Sequence, residues 1–82
     1  MGFEKSVMAS RIRARRAELD LTQQQLADAS GIALTTVSSY EDENGFVPSA
    51  ERVFALSEAL GVEPNWLMGW DGKASSKSMR KA

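Results

Sequence analysis

The chain has 82 residues and a mass of 9.0 kDa, enough for one small domain. It contains no cysteine and no histidine, which excludes a disulfide framework, a thiolate zinc site and a thiol nucleophile, and removes the commonest metal ligand and general base. The net charge of −1 is unevenly laid out: residues 1–20 sum to +2, residues 21–72 to −7 and residues 73–82 to +4.

The first predicted helix covers residues 5–19. Met8, Ile12 and Leu19 recur there at helical spacing, with Ala14 and Ala17 between them and Arg11, Arg13 and Arg15 on the other faces. Thr22-Gln23-Gln24-Gln25 has the form of a capping box, in which Thr22 accepts from the backbone at position 25 while Gln25 reaches back. It opens a second helix, Gln23 to Ser30, that buries Leu26 and Ala27. Gly31 follows, where a left-handed conformation costs a glycine little. Ala33, Val37 and Tyr40 mark a third helix over residues 33–41. Residues 42–48 form a loop with an Asn-Gly turn signal. Ser49 is the N-cap of a fourth helix, with Glu51 in its first turn and Val53, Leu56 and Leu60 as its stripe, ended by Gly61. Pro64 takes the first position of a last short helix that holds Trp66 and Leu67 and is closed by Gly69. Residues 71–82 have no apolar pattern and read as a flexible basic tail or linker. The expected organisation is all-α, with a domain over 1–70 and a tail over 71–82. No apolar run approaches the roughly 20 residues that span a membrane, and residues 1–10 lack the apolar stretch of a signal peptide.

Gln23, Leu26, Ala27, Gly31, Val37 and Glu41 hold the spacing of a helix-turn-helix. The segment resembles the Cro and repressor family of lambdoid phages, which includes the xenobiotic-response-element type regulators of bacteria. Arg16 before it, and Ala59-Leu60-Gly61-Val62 with Pro64-Asn65-Trp66-Leu67 after it, match the family's first, fourth and fifth helices, so the resemblance covers residues 6–70. It implies a compact five-helix, lambda-repressor-like DNA-binding domain. It also implies a phage or bacterial transcriptional repressor in the cytoplasm, associated with the nucleoid. Its partners would be a palindromic double-stranded DNA operator and a second copy of the chain, joined on DNA if not before. No metal, cofactor, membrane or catalysis is required. The motif also has a geometric reason: a small Ala27 lets two helices cross sharply, Gly31 makes the turn, and Leu26 and Val37 fill the wedge. The third helix then protrudes far enough to enter a groove about 12 Å wide.

With Val37 inward and about 100° per residue, Ala33 and Tyr40 also face inward and Thr35, Ser38 and Ser39 face outward. The resemblance assigns base reading to Leu34, Thr35, Ser38 and Ser39. None is Arg, Lys, Asn or Gln, the residues of bidentate base recognition, so a share of specificity falls to DNA shape. A solvated Ser/Thr face is the alternative. Gln23, at the start of the second helix, is a phosphate ligand and a brace for the third helix by resemblance, and a simple cap otherwise. Arg11, Arg13 and Arg15 are candidate phosphate ligands or a solvated helix face, and Asn44 offers an amide to the DNA backbone. Arg16 and Glu41 match a structural ion pair. Asp42 and Glu43 stand where the family often has basic or amide residues, and they repel phosphate. Pro64, Trp66 and Trp70 are candidate dimer contacts, although Trp66 with Leu67 also suits the core. The rival function is a protein-interaction module, such as an antitoxin-like or antirepressor-binding subunit whose acidic middle meets a protein. An enzyme is the poorest reading, with no histidine, no cysteine and no convergent acid pair beside a nucleophile.

Overall fold

The computed structural model describes residues 4–70; the expected tail, 71–82, lies outside them. Five helices follow in chain order: α1 (Lys5–Glu18), α2 (Gln23–Ser30), α3 (Leu34–Tyr40), α4 (Ala50–Leu60) and α5 (Pro64–Leu67). This is the all-helical, five-helix arrangement expected from the sequence. No helix among the described residues is long and apolar enough to cross a membrane.

Each helix end has a local cause. α1 gives way at Asp20, which takes a left-handed φ of 59°, a conformation that Asp tolerates better than most side chains. The capping box at α2 is complete. Thr22 accepts from the Gln25 N–H at 3.0 Å, and the Gln25 side chain accepts from the Thr22 N–H at 2.8 Å. α2 ends at Gly31 with φ 75°, where any Cβ is strained. The Ala27 carbonyl there accepts from both Gly31 N–H (2.9 Å) and Ile32 N–H (3.2 Å), which closes the turn. Ser49 caps α4 through the Arg52 N–H, and Pro64 opens α5.

The five helices share one core. Met8 and Ile12 of α1, Leu26 of α2, Val37 of α3, Leu56 and Leu60 of α4 and Leu67 of α5 are wholly buried. Each contributes roughly 1.5–3 kcal/mol of transfer free energy. Ala27 is buried at the α2–α3 crossing.

Two expected core residues lie elsewhere. α1 stops at Glu18, so Leu19 leaves the apolar stripe and is 38% exposed. Ala33 is the extended N-cap of α3, with ψ 146°, and is exposed. The helical phase begins only at Leu34, and the inward place expected for Ala33 is filled by Ile32 from the turn. Ala9, between Met8 and Ile12, is also wholly buried.

Candidate nucleic-acid interface

α3 has seven residues, turns Val37 and Tyr40 into the core, and packs chiefly on α2. Leu34, Thr35 and Ser38 lie on its exposed face, with Leu34 40% exposed. Ser39 sits differently. It is half-buried, and its hydroxyl accepts the Phe46 N–H at 2.8 Å. A Cβ at Gly45 would come within 1.9 Å of the Ser39 carbonyl oxygen, so only glycine permits the loop to close so tightly on the end of α3. Ser39 and Gly45 therefore join the α3 end to the loop. Asn44 is exposed on that loop, and its N–H donates to the Asp42 side chain at 3.0 Å.

Glu41, just after α3, carries the densest polar cluster. Its carboxylate is buried and accepts from Arg16 Nε at 2.7 Å, Arg16 Nη2 at 3.0 Å and Gln23 Nε2 at 3.0 Å. Arg16 also donates to the Leu21 carbonyl at 2.9 Å. One fork-shaped pair thus ties α1 to the end of α3, and Gln23 ties the start of α2 to the same carboxylate. Buried charge is tolerable only when its partners are this well placed. Arg52 of α4 adds a bond to the Tyr40 hydroxyl at 3.0 Å.

The other α1 cations meet backbone carbonyls at helix ends, where the partial negative charge of a helix accumulates. Arg15 Nε donates to Leu60 O at the end of α4, 2.8 Å away, and Arg15 also pairs with Glu18. Arg11 donates to Trp66 O in α5 and lies over the Trp66 ring, 4.9 Å from its centroid. Arg13 Nη1 donates to Glu41 O at 2.6 Å. The Lys5 ammonium reaches Tyr40 O at 3.0 Å, Asp42 O and, more weakly, Ser39 O. Burial among these groups holds the Lys5 pKa below its ordinary value; Asp42 and Glu43 oppose the shift, and nearby Arg13 adds to it. The arginines expected at phosphates are thus engaged with carbonyls of α3, α4 and α5.

Away from these clusters, Phe54 of α4 is 62% and Trp70 49% exposed. Phe54 and Pro64 line a shallow groove with Ser57, Glu58 and Val62, whereas Trp66 is half-buried against the core. Phe46 and Val47 on the α3–α4 loop are also exposed. Sequence reasoning overlooked Phe54, which breaks the α4 apolar stripe between Val53 and Leu56. It also passed over Lys5, whose spacing of eight from Arg13 places both on one side of α1.

The order of the helices, the Ala27–Gly31 turn and the protruding α3 define a helix-turn-helix domain. Residues 12–67 match the family model described as "Helix-turn-helix", and the chain belongs to that family. It is similar to the transcriptional regulator DicA of Escherichia coli, with 38% identity over 71 residues, 87% of this chain and 52% of DicA. It is 35% identical over 65 residues to repressor protein C2 of Salmonella phage P22, covering 79% of this chain and 30% of C2. The chain therefore spans about half the length of the first relative and under a third of the second. Its fold resembles the P22 c2 repressor solved in complex with a synthetic operator, with a TM-score of 0.73 and 35% identity over 79% of this chain and 97% of that one. It also resembles the N-terminal DNA-binding domain of SinR from Bacillus subtilis, with a TM-score of 0.74 and 28% identity over 84% of this chain and 97% of that one.

Proposed function

We propose that the chain is a DNA-binding unit of a transcriptional repressor and places α3 in the major groove of an operator. The observation that carries this is the exposed face of α3. Leu34, Thr35 and Ser38 stand outward on a helix whose other side is locked into the core, within a domain similar to an operator-bound repressor. Leu34 suits a thymine methyl, and the two hydroxyls suit either purine or pyrimidine edges. Ser39, committed to the loop, lies at the margin of this face. Phosphates are assigned to Asn44, to the second N–H of the Gln23 amide, whose first is given to Glu41, and to the Gln23 and Gln24 backbone N–H groups at the positive end of α2, beside the Gln25 N–H that Thr22 takes. The α1 arginines, expected at phosphates from the sequence, are assigned instead to the helix ends they touch. The repressor acts in the cytoplasm as a homodimer on a palindromic site, with Phe54, Pro64 and Trp70 as the surface available to the second copy.

The test is selection of bound duplexes from a randomised pool, followed by titration of the enriched and unrelated duplexes over a salt series. Enrichment of a palindrome, weakened by Thr35→Ala for the enriched duplex alone, is the expected result. No enrichment at low salt would falsify the reading. A rival reading rests on a specific observation: Phe46 and Val47 are 73% and 60% exposed beside Asp42 and Glu43. An acidic loop with apolar tips fits a protein partner, such as an antirepressor, better than a phosphate backbone.

A further inference from the structure

We propose that Lys5 and Arg13 are positioning residues for α3, and that they set operator discrimination by clamping the carbonyls at and just beyond its C-terminal end rather than by touching DNA. This rests on the DNA-binding reading above. α3 is seven residues long and has no basic residue in its last turn. So short a helix is not stable alone in water, and its exposed carbonyls call for cations supplied from elsewhere. α1 supplies them. The Lys5 ammonium holds the carbonyls of Ser39, Tyr40 and Asp42, and Arg13 holds that of Glu41. All four consecutive carbonyls from 39 to 42 are gripped by these two side chains, across 28 to 37 residues of sequence. Arg16 grips the Glu41 carboxylate from the same side of α1.

The lever is mechanical. α3 is about 10 Å long at 1.5 Å per residue. A tilt of about 10° would move one end by nearly 2 Å, more than a hydrogen bond to a base edge tolerates. Leu34 and Thr35 lie at the start of α3 and Ser38 just past its middle, and the clamp fixes its finish. Discrimination follows the tilt, whereas attachment to the DNA backbone through α2 and the loop does not.

The experiment uses the full chain, a duplex enriched by the wild type from a randomised pool, and an unrelated duplex of equal length. Lys5→Met, Arg13→Gln and Lys5→Arg are compared with wild type. Lys5 is only half-buried at the start of α1 and belongs to no core cluster, so Lys5→Met should fold. Expected for Lys5→Met and Arg13→Gln is a roughly tenfold fall in the ratio of enriched to unrelated affinity, with the slope of log K against log salt unchanged. Amide hydrogen exchange in residues 38–42 of the free protein rises, while α2 and α4 stay as in the wild type. Lys5→Arg keeps the ratio. Equal weakening of both duplexes, with the salt slope lowered by about one, would make these side chains phosphate ligands and overturn the proposal. Unchanged exchange in residues 38–42 would overturn it as well. If the wild type enriches no duplex, the role in discrimination falls together with the DNA-binding reading. The exchange rates tell that failure apart from a failed clamp, because they still differ between wild type and variant when the clamp exists.

Discussion

Glu41 and Arg16 share one bond pattern but not one environment. The Glu41 side chain is 3% exposed and the Arg16 side chain 22%. Losing either partner leaves the other without its counter-charge, and the deeper one suffers more, because water cannot reach it. Arg16→Ala should therefore destabilise by about 3–5 kcal/mol. Glu41→Ala should cost less, since Arg16 can swing toward solvent while keeping its bond to Leu21 O. The double variant should cost less than the sum, because no charge is then stranded. Chemical denaturation of the four proteins checks this, and strictly additive losses would separate the two residues energetically. Ser57 presents the opposite case. Its hydroxyl is buried and has no hydrogen-bond partner among the described residues. Removing an unpaired buried hydroxyl relieves a desolvation cost of about 1–3 kcal/mol. Ser57→Ala should accordingly raise the melting temperature, and a lower one would point to a polar partner at that hydroxyl.

At the scale of the elements, the boundaries legible in the sequence were those with a chemical signal of their own. Thr22 with Gln25, Gly31, Ser49 and Pro64 each solve a local problem of unpaired backbone groups, and each stands where the solution is needed. Thr22→Ala should cost about 1 kcal/mol and raise amide exchange in the first turn of α2 before anywhere else. Loss confined to another helix would mean that the capping box is not what starts α2. Gly61 and Gly69 likewise stand where α4 and α5 end, with φ 68° and 81°, but the end of α3 was not legible in this way. The carbonyls there are held by Lys5 and Arg13, and those ending α4 and α5 also by Arg15 and Arg11, across long stretches of chain, and no local pattern in a sequence announces a cap delivered from another helix. For the same reason the intrachain bonds of a basic first helix were hidden in the sequence. Charge count shows that cations are present, and only tertiary structure shows which acceptors they meet. The Arg16–Glu41 pair was legible because the family resemblance named both partners. The phase of α3 was legible from Val37 and Tyr40, and it failed at Ala33 because the N-cap backbone is extended, where a helical wheel does not apply.

At the scale of the whole molecule, the interface has two requirements that pull apart. Reading a palindrome calls for two protomers with their α3 helices about 34 Å apart, one turn of DNA. The described residues carry an acid excess, so non-specific attraction between the domain and DNA is weak. On the proposed reading, specific binding then depends on a second protomer adding its contacts at a high effective concentration. The apolar surface available for that pairing is small. The groove proposed for it is lined by Phe54, Val62 and Pro64, with Glu58 at its rim. An interface of that size suits association on DNA and a monomer at low concentration in its absence. Phe54 is mostly solvent-exposed, so Phe54→Glu should change folding stability by no more than about 0.5 kcal/mol. On the enriched duplex it should abolish cooperative filling of the two half-sites, while one half-site alone binds as tightly as in the wild type. Inserting about five base pairs between half-sites, half a helical turn, should reproduce the defect in the wild-type protein by rotating one protomer to the far face of the duplex. Sedimentation of saturated complexes gives the count directly. One protomer per enriched duplex would overturn the pairing itself, and a Phe54→Glu protein that fills both half-sites as the wild type does would move the pairing surface away from α4.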